Sequence, residues 1–305
     1  MSNQAIFNMI NKIRTRAIED LYDGNFNYES TMPLLLRQLD ILKGIGDQTQ
    51  VGVLYNTLAI IELELGNFPD SRDYYQNALN AYEDAGQPGR YATTLCGLGE
   101  LYRETGEVER AADCYQRSRA IAEKENDKRI IIYNYSNEGQ LWLAEGQTER
   151  AIELLETGLS IIEQAEWLTD IRNKVLPEVL ISLAEAYARN DDFETAWVSV
   201  ERGLERASKA NELHQMAHAY QSMARIAIAE GRPDVEIEAY FEKSAALWHK
   251  LGALPDLGRL LIAAGDYMMA RNKLDQAARF FEEASEVFDG ANLGDEAADA
   301  RARLA

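Results

Sequence analysis

The chain has 305 residues, 46% hydrophobic and 27% charged, with six prolines and a formal net charge of −20. This is the composition of a soluble, folded, helix-rich protein, not of a disordered or collagen-like one. It has no cluster of Lys and Arg to neutralise nucleic-acid phosphates or an anionic membrane, so a basic partner suits it better than an acidic one, and solubility alone also accounts for the charge.

In chain order, the N-terminal stretch MSNQAIFNMINKIRTRAIEDL reads as a short amphipathic helix. It lacks the long apolar core and small-residue cleavage site of a signal peptide. A degenerate first unit is expected to turn near Gly24. Three apolar-periodic segments follow: NTLAIIELELG ends on Gly66, CGLGELYRETG on Gly106 and SNEGQLWLAEG on Gly146, two steps of 40 residues. The pattern continues at Asp191, Gly231 and Asn272, in steps of 45, 40 and 41, so five residues are inserted before the fifth unit. Breaker clusters KGIGDQ, EDAGQPG, KLGALPD and DGANLG separate the units. No segment alternates like a strand, and no apolar run approaches the ~20 residues of a membrane span. About fourteen helices and a short C-terminal capping helix over 294–305 fit the length. Such a period means stacked helix pairs, each burying its apolar face on its neighbours.

Small and large residues recur at fixed offsets from each turn. Seven positions before it stand Ala59, Gly99, Gly139, Ala184, Ala224 and Gly265; twelve after it stand Ala78, Ser118, Gly158, Gly203, Ser244 and Ala284, the fifth delayed by one. Large residues accompany them at Tyr75, Tyr115, Leu155, Val200, Phe241 and Phe281. Small side chains let antiparallel helices approach, and large ones fill the remaining space. These positions predict packing, not chemistry.

The spacing of Leu98, Gly99, Tyr102, Gly106, Ala111 and Tyr115 resembles the tetratricopeptide repeat, and recurs more loosely at Ala151 and Leu155, Ala196 and Val200, and Ala277 and Phe281. Two departures stand out. The period is 40 instead of the usual 34, and the proline that normally closes the second helix is missing. The longer unit is similar to the repeats of kinesin light chains and the maltose-regulon activator. Period alone would also allow HEAT or armadillo repeats. The resemblance implies a single all-α, right-handed α-solenoid over 1–305 that binds a protein or peptide partner on its concave face.

Chemistry-bearing motifs are few. His214 and His218 share a helix face, but Gln215 stands where a zincin needs its glutamate, and no third ligand is apparent. No G-x-G-x-x-G, P-loop or G-x-S-x-G occurs. Acidic pairs such as Glu100 and Glu104 follow from composition alone. Cys96 and Cys114 suit a reducing compartment rather than a disulfide framework, and Cys114 has no histidine beside it. The reading is a cytoplasmic non-enzyme with no catalytic residue, metal or cofactor.

In tetratricopeptide proteins the first helix of each unit lines the groove. Carried over by position, that face comprises Asn56 and Thr57; Glu100 and Arg103; Tyr133, Ser136, Asn137 and Gln140; Ser182, Glu185 and Arg189; His218, Gln221, Ser222 and Arg225; and Arg259. The partner-binding candidates are Asn56, Arg103, Tyr133, Asn137, Gln140, Arg189, Gln221, Arg225 and Arg259. Asn and Gln both donate to and accept from a peptide backbone, and Arg clasps carboxylates. Glu185 and Asp266 compete for the arginines, and a solvated polar face is the plain alternative. The Lys-and-Asn carboxylate clamp of chaperone-binding relatives is not reproduced.

Rival readings need further parts. A peptide-sensing transcription regulator requires a helix-turn-helix, although the repeats begin almost at Met1. A signalling ATPase requires a P-loop module. The chain is also readable as the sensor portion of such a larger protein, because Ala305 falls early in what could be another unit.

Overall fold

The computed structural model describes residues 3–22, 25–165, 167–291 and 293–304. The turn expected at Gly24 lies outside them. Among the described residues there are fifteen α-helices and no strand. They are α1 (Asn3–Tyr22), α2 (Tyr28–Ile45), α3 (Gln48–Glu64), α4 (Phe68–Asp84), α5 (Pro88–Glu104), α6 (Val108–Lys124), α7 (Lys128–Ala144) and α8 (Thr148–Gln164). There follow α9 (Thr169–Arg189), α10 (Phe193–Ala210), α11 (Leu213–Glu230), α12 (Asp234–Leu251), α13 (Leu254–Ala270), α14 (Leu274–Gly290) and α15 (Gly294–Ala302).

Turn chemistry sets this spacing. Gly66, Gly106, Gly146, Asp191, Gly231 and Asn272, the six turn positions read from the sequence, all have left-handed backbone, with φ between 58 and 76°. Gly46, Gly86, Asn126, Asn211 and Gly252, which lie between units, have it too. The next amide then reaches back five residues: Asn67 N to Glu62 O at 2.8 Å, Gln87 N to Tyr82 O at 2.9 Å and Glu107 N to Tyr102 O at 2.7 Å. This is the Schellman cap, which satisfies a helix's last carbonyls and favours Gly or Asn at its left-handed residue. From Gly46 to Gly146 such a residue recurs every 20 positions, so the 40-residue period is one helix-plus-cap device used twice. The insertion is located as well: α9 has 21 residues against 17 in α7, and the link before it, 165–168, is one position longer than 125–127.

Small residues receive rings. A Cβ on Gly99 would stand 2.6 Å from the Tyr115 ring, and one on Gly265 2.5 Å from Phe281, at the same offsets from their turns. Two helical turns further from the loop, Gly52 faces Tyr82 and Gly258 faces Phe288 in the same way. All six large residues named above are buried. Two of the small ones also form hydrogen bonds: Ser118 Oγ donates to Ala92 O at 2.7 Å and Ser244 Oγ to Ala217 O at 2.9 Å. Each hydroxyl thus finds an acceptor on the facing helix.

Contacts divide the chain into two compact units, Met1–Leu141 and Trp142–Ala305. In the first, α3 packs on α4, α4 on α5 and α5 on α6, and the first helices α3 and α5 also touch. In the second, α9, α10, α11 and α12 repeat that arrangement, with α9 against α11. At its end α15 packs on α14 and buries Ala297 and Ala300.

Candidate functional site

The face made by first helices is knitted by polar bridges. In the N-terminal unit, Thr94 Oγ1 of α5 donates to Asn56 Oδ1 of α3 at 3.0 Å, and Asn137 Nδ2 of α7 donates to Glu100 Oε1 of α5 at 2.8 Å. Asn56, Glu100 and Tyr133, picked from separate repeats, line one cavity of about 240 Å³. Ile60 and Leu63 of α3, Cys96 of α5, Ile130 of α7 and Tyr75 of α4 complete much of its wall. Gly97 lets the Tyr75 hydroxyl in, since a Cβ there would lie 2.8 Å from it.

Other expected groove residues are placed differently. Thr57, Ser136 and Ser222, expected on the open face, are buried: Thr57 Oγ1 donates to Val53 O of its own helix, and Ser136 Oγ accepts from Gln140. Asn137 is only 9% exposed, and its amide serves Glu100 and, at 3.5 Å, the Cys96 sulfur. The reason is the close approach of successive first helices, which closes over positions at their seam. Arg103 is exposed beside Glu104, 2.9 Å away.

In the C-terminal unit, Glu185 of α9 accepts from Ser222 Oγ and, at 2.9 Å, from Arg225 Nη1, both on α11. Arg189 donates to the Leu143 carbonyl, and Arg259 stands 3.5 Å from Asp256 one turn earlier on α13. Asp266, foreseen as a competitor for these arginines, pairs instead with Arg303. Arg225 and Arg259 have more than half of their side-chain surface exposed, and ion pairs of that kind contribute little. Ser182 and Gln221 are half-buried on the same helices.

The histidines of α11 have a packing role that periodicity did not reveal. Both rings stand edge-on against the buried Trp248 indole of α12, with centroids 4.8 Å away. Trp248 and the small residue Ala217 belong to one buried cluster. Burial, and secondly His214, push the His218 imidazole down to about 4. Burial likewise pushes both thiols up, with Glu100 adding to the effect at Cys96 and Asp113 at Cys114, the latter reaching about 11. Neither is a thiolate near neutral pH. Among the described residues, no group of three or more His, Cys, Asp or Glu is placed to hold a metal ion.

Stacked helix pairs with Schellman-capped turns, small-on-ring packing and a polar first-helix face define a helical-repeat solenoid protein. Residues 50–124 and 92–164 match the family model described as Tetratricopeptide repeat. Protein KINESIN LIGHT CHAIN-RELATED 2 of Arabidopsis thaliana is 23% identical over 146 residues, 46% of this chain and 22% of that protein. Transcriptional activator NprA of Geobacillus stearothermophilus is 22% identical over 237 residues, 75% of this chain and 56% of that protein. The chain thus spans at most about half the length of these relatives.

Among solved structures, the apo form of the quorum sensor NprR from B. thuringiensis superposes with a TM-score of 0.73, at 14% identity over 93% of this chain and 77% of that one. The Rap conjugation gene regulator of plasmid pLS20, in complex with the Phr* peptide, gives 0.68 at 15% identity, over 92% of this chain and 74% of that one. At such identities the likeness concerns the fold.

Proposed function

We propose that the protein recognises an extended peptide, free or within a partner protein, on the face formed by its first helices. The observation that carries this is the α3–α5–α7 surface, where residues from three repeats converge on one cavity with an apolar wall and an amide-bearing mouth. In the N-terminal unit, Asn56 and Gln140 supply backbone hydrogen bonds, Arg103 adds a contact on its helix, and Tyr133 gives an aromatic wall; in the C-terminal unit, Arg189, Gln221, Arg225 and Arg259 offer contacts along their own helices. Asn137 acts by holding Glu100 in place. The fold-level likeness to a regulator bound to a peptide supports the reading.

Recognition without catalysis is part of this proposal. The thiols are held protonated and His218 is spent on packing, so the site lacks an activated nucleophile or a poised base. A reducing, cytoplasmic setting suits the free thiols. No helix among the described residues is long and apolar enough to cross a membrane.

A second reading makes the chain the sensor portion of a larger regulator. It is favoured by the match to a transcriptional activator of which the chain covers 56%.

The test is to pan a displayed random-peptide library against the full chain and measure the recovered peptides by calorimetry. Asn56→Ala and Gln140→Ala should each weaken binding by about 1–3 kcal/mol, while Glu109→Ala on α6 leaves it unchanged. Peptides that bind both variants like the parent, yet are weakened by Glu109→Ala, would place recognition on the opposite face.

A further inference from the structure

The cavity of the N-terminal unit has a shape and chemistry that specify more than a generic polar groove. It opens to solvent, with Tyr133 exposed on its wall. About 240 Å³ stands open between Ile60, Leu63, Ile130, Tyr75, Tyr133 and Cys96. A void of about 150 Å³ lined by aliphatic and aromatic side chains already holds a benzene ring.

At the mouth, the Thr94 hydroxyl fixes the Asn56 carbonyl oxygen and so orients the amide; the Asn56 N–H group has no partner among the described residues. The lining further contains the carboxylates of Glu64 and Glu100 and no Lys, Arg or His. An incoming acidic group would therefore meet like charge in a partly desolvated place.

We propose that this cavity is an anchor pocket for one aromatic or branched aliphatic side chain of a neutral or basic peptide, whose main-chain carbonyl accepts from the Asn56 amide. The inference rests on the peptide-recognition reading above. Gly97 is a specificity element in it: with no Cβ it lets Tyr75 form part of the wall.

Capped amino acids probe the pocket without any library peptide. The full chain, with ¹³C-labelled isoleucine methyl groups, is titrated by NMR with N-acetyl-phenylalaninamide, N-acetyl-leucinamide and the N-acetyl amide of aspartate. The first two should give saturable shifts at the Ile60 and Ile130 methyls with millimolar affinity, the third none. Ile60→Trp fills the space and should abolish the Ile130 shift. Should that variant fail to fold, Tyr133→Ala at an exposed wall residue should weaken binding roughly tenfold. Absence of saturable shifts up to about 50 mM, equal shifts from the aspartate compound, or binding that survives Ile60→Trp would each overturn the pocket. A library peptide weakened by Asn56→Ala and untouched by Ile60→Trp would overturn the pocket while sustaining the peptide reading. Capped phenylalanine bound beside Ile60 with no library peptide recovered would sustain the pocket and overturn that reading.

Discussion

Gly99 shows how one missing Cβ positions two helices. Its backbone lies against the Tyr115 ring, and a Cβ would stand 2.6 Å away, so any larger residue must push α5 and α6 apart. Gly99→Leu should lower stability by about 1–3 kcal/mol or more, while Gly89→Ala, which has nothing within 4 Å, should leave the thermal midpoint nearly unchanged. Equal midpoints for parent and Gly99→Leu would contradict the packing. His218 gives a second residue-scale outcome. Its imidazole is held down to about 4, by burial first and then by His214, against an ordinary value of about 6.5. The unfolded chain therefore binds a proton that the folded one refuses between those values, and stability falls as pH drops through that window. Asp256 and Glu185 oppose the shift and Arg225 reinforces it. Denaturant midpoints at pH 7.5 and pH 5 should differ more for the parent than for His218→Gln. An identical pH dependence in the two proteins would remove His218 from the account.

Each helix with its cap is an element of nearly fixed length, and the cap is where that length is set. Gly106 has φ of 72°, a conformation that costs a residue with Cβ roughly 1–2 kcal/mol. Gly106→Val should therefore lower the midpoint in calorimetry, and Asn272→Gly, relieving a non-glycine residue at φ 58°, should raise it or leave it alone. The turns within units were legible because glycine, Asp or Asn stands at each of them after an apolar-periodic run. That the turns between units use the same cap was harder to read: Asn126 and Asn211 carry little signal by themselves, and only the returning backbone hydrogen bonds show the equivalence. The five-residue insertion was visible as a number, but its division between α9 and the preceding link depends on where the helix starts. On the candidate site, periodicity identifies the side of a helix and not the distance to its neighbour. That is why Asn56, Glu100 and Tyr133 could be assigned to one side of their helices, where they line a common cavity, while Thr57, Ser136 and Ser222 proved buried. The cavity and the His–Trp248 cluster arise between elements, where a one-dimensional pattern carries no depth.

On the scale of the molecule, a chain of net charge −20 answers three arginines of its first helices from within. Arg225 rests on Glu185, Arg189 on the Leu143 carbonyl and Arg259 beside Asp256. The exposed pairs among these can be exchanged for a ligand's carboxylate at little cost, because solvent already screens them. Recognition then depends on several repeats contributing together, each with a few side chains. The central claim is that the first helices carry that recognition. Hydrogen exchange of the full chain with and without a library-selected peptide tests it most directly, since bound segments open less often. The account predicts added protection in α3, α5 and α7, centred on Asn56, Glu100 and Tyr133, with α4 and α6 unaltered. Protection confined to α4 and α6 would contradict it.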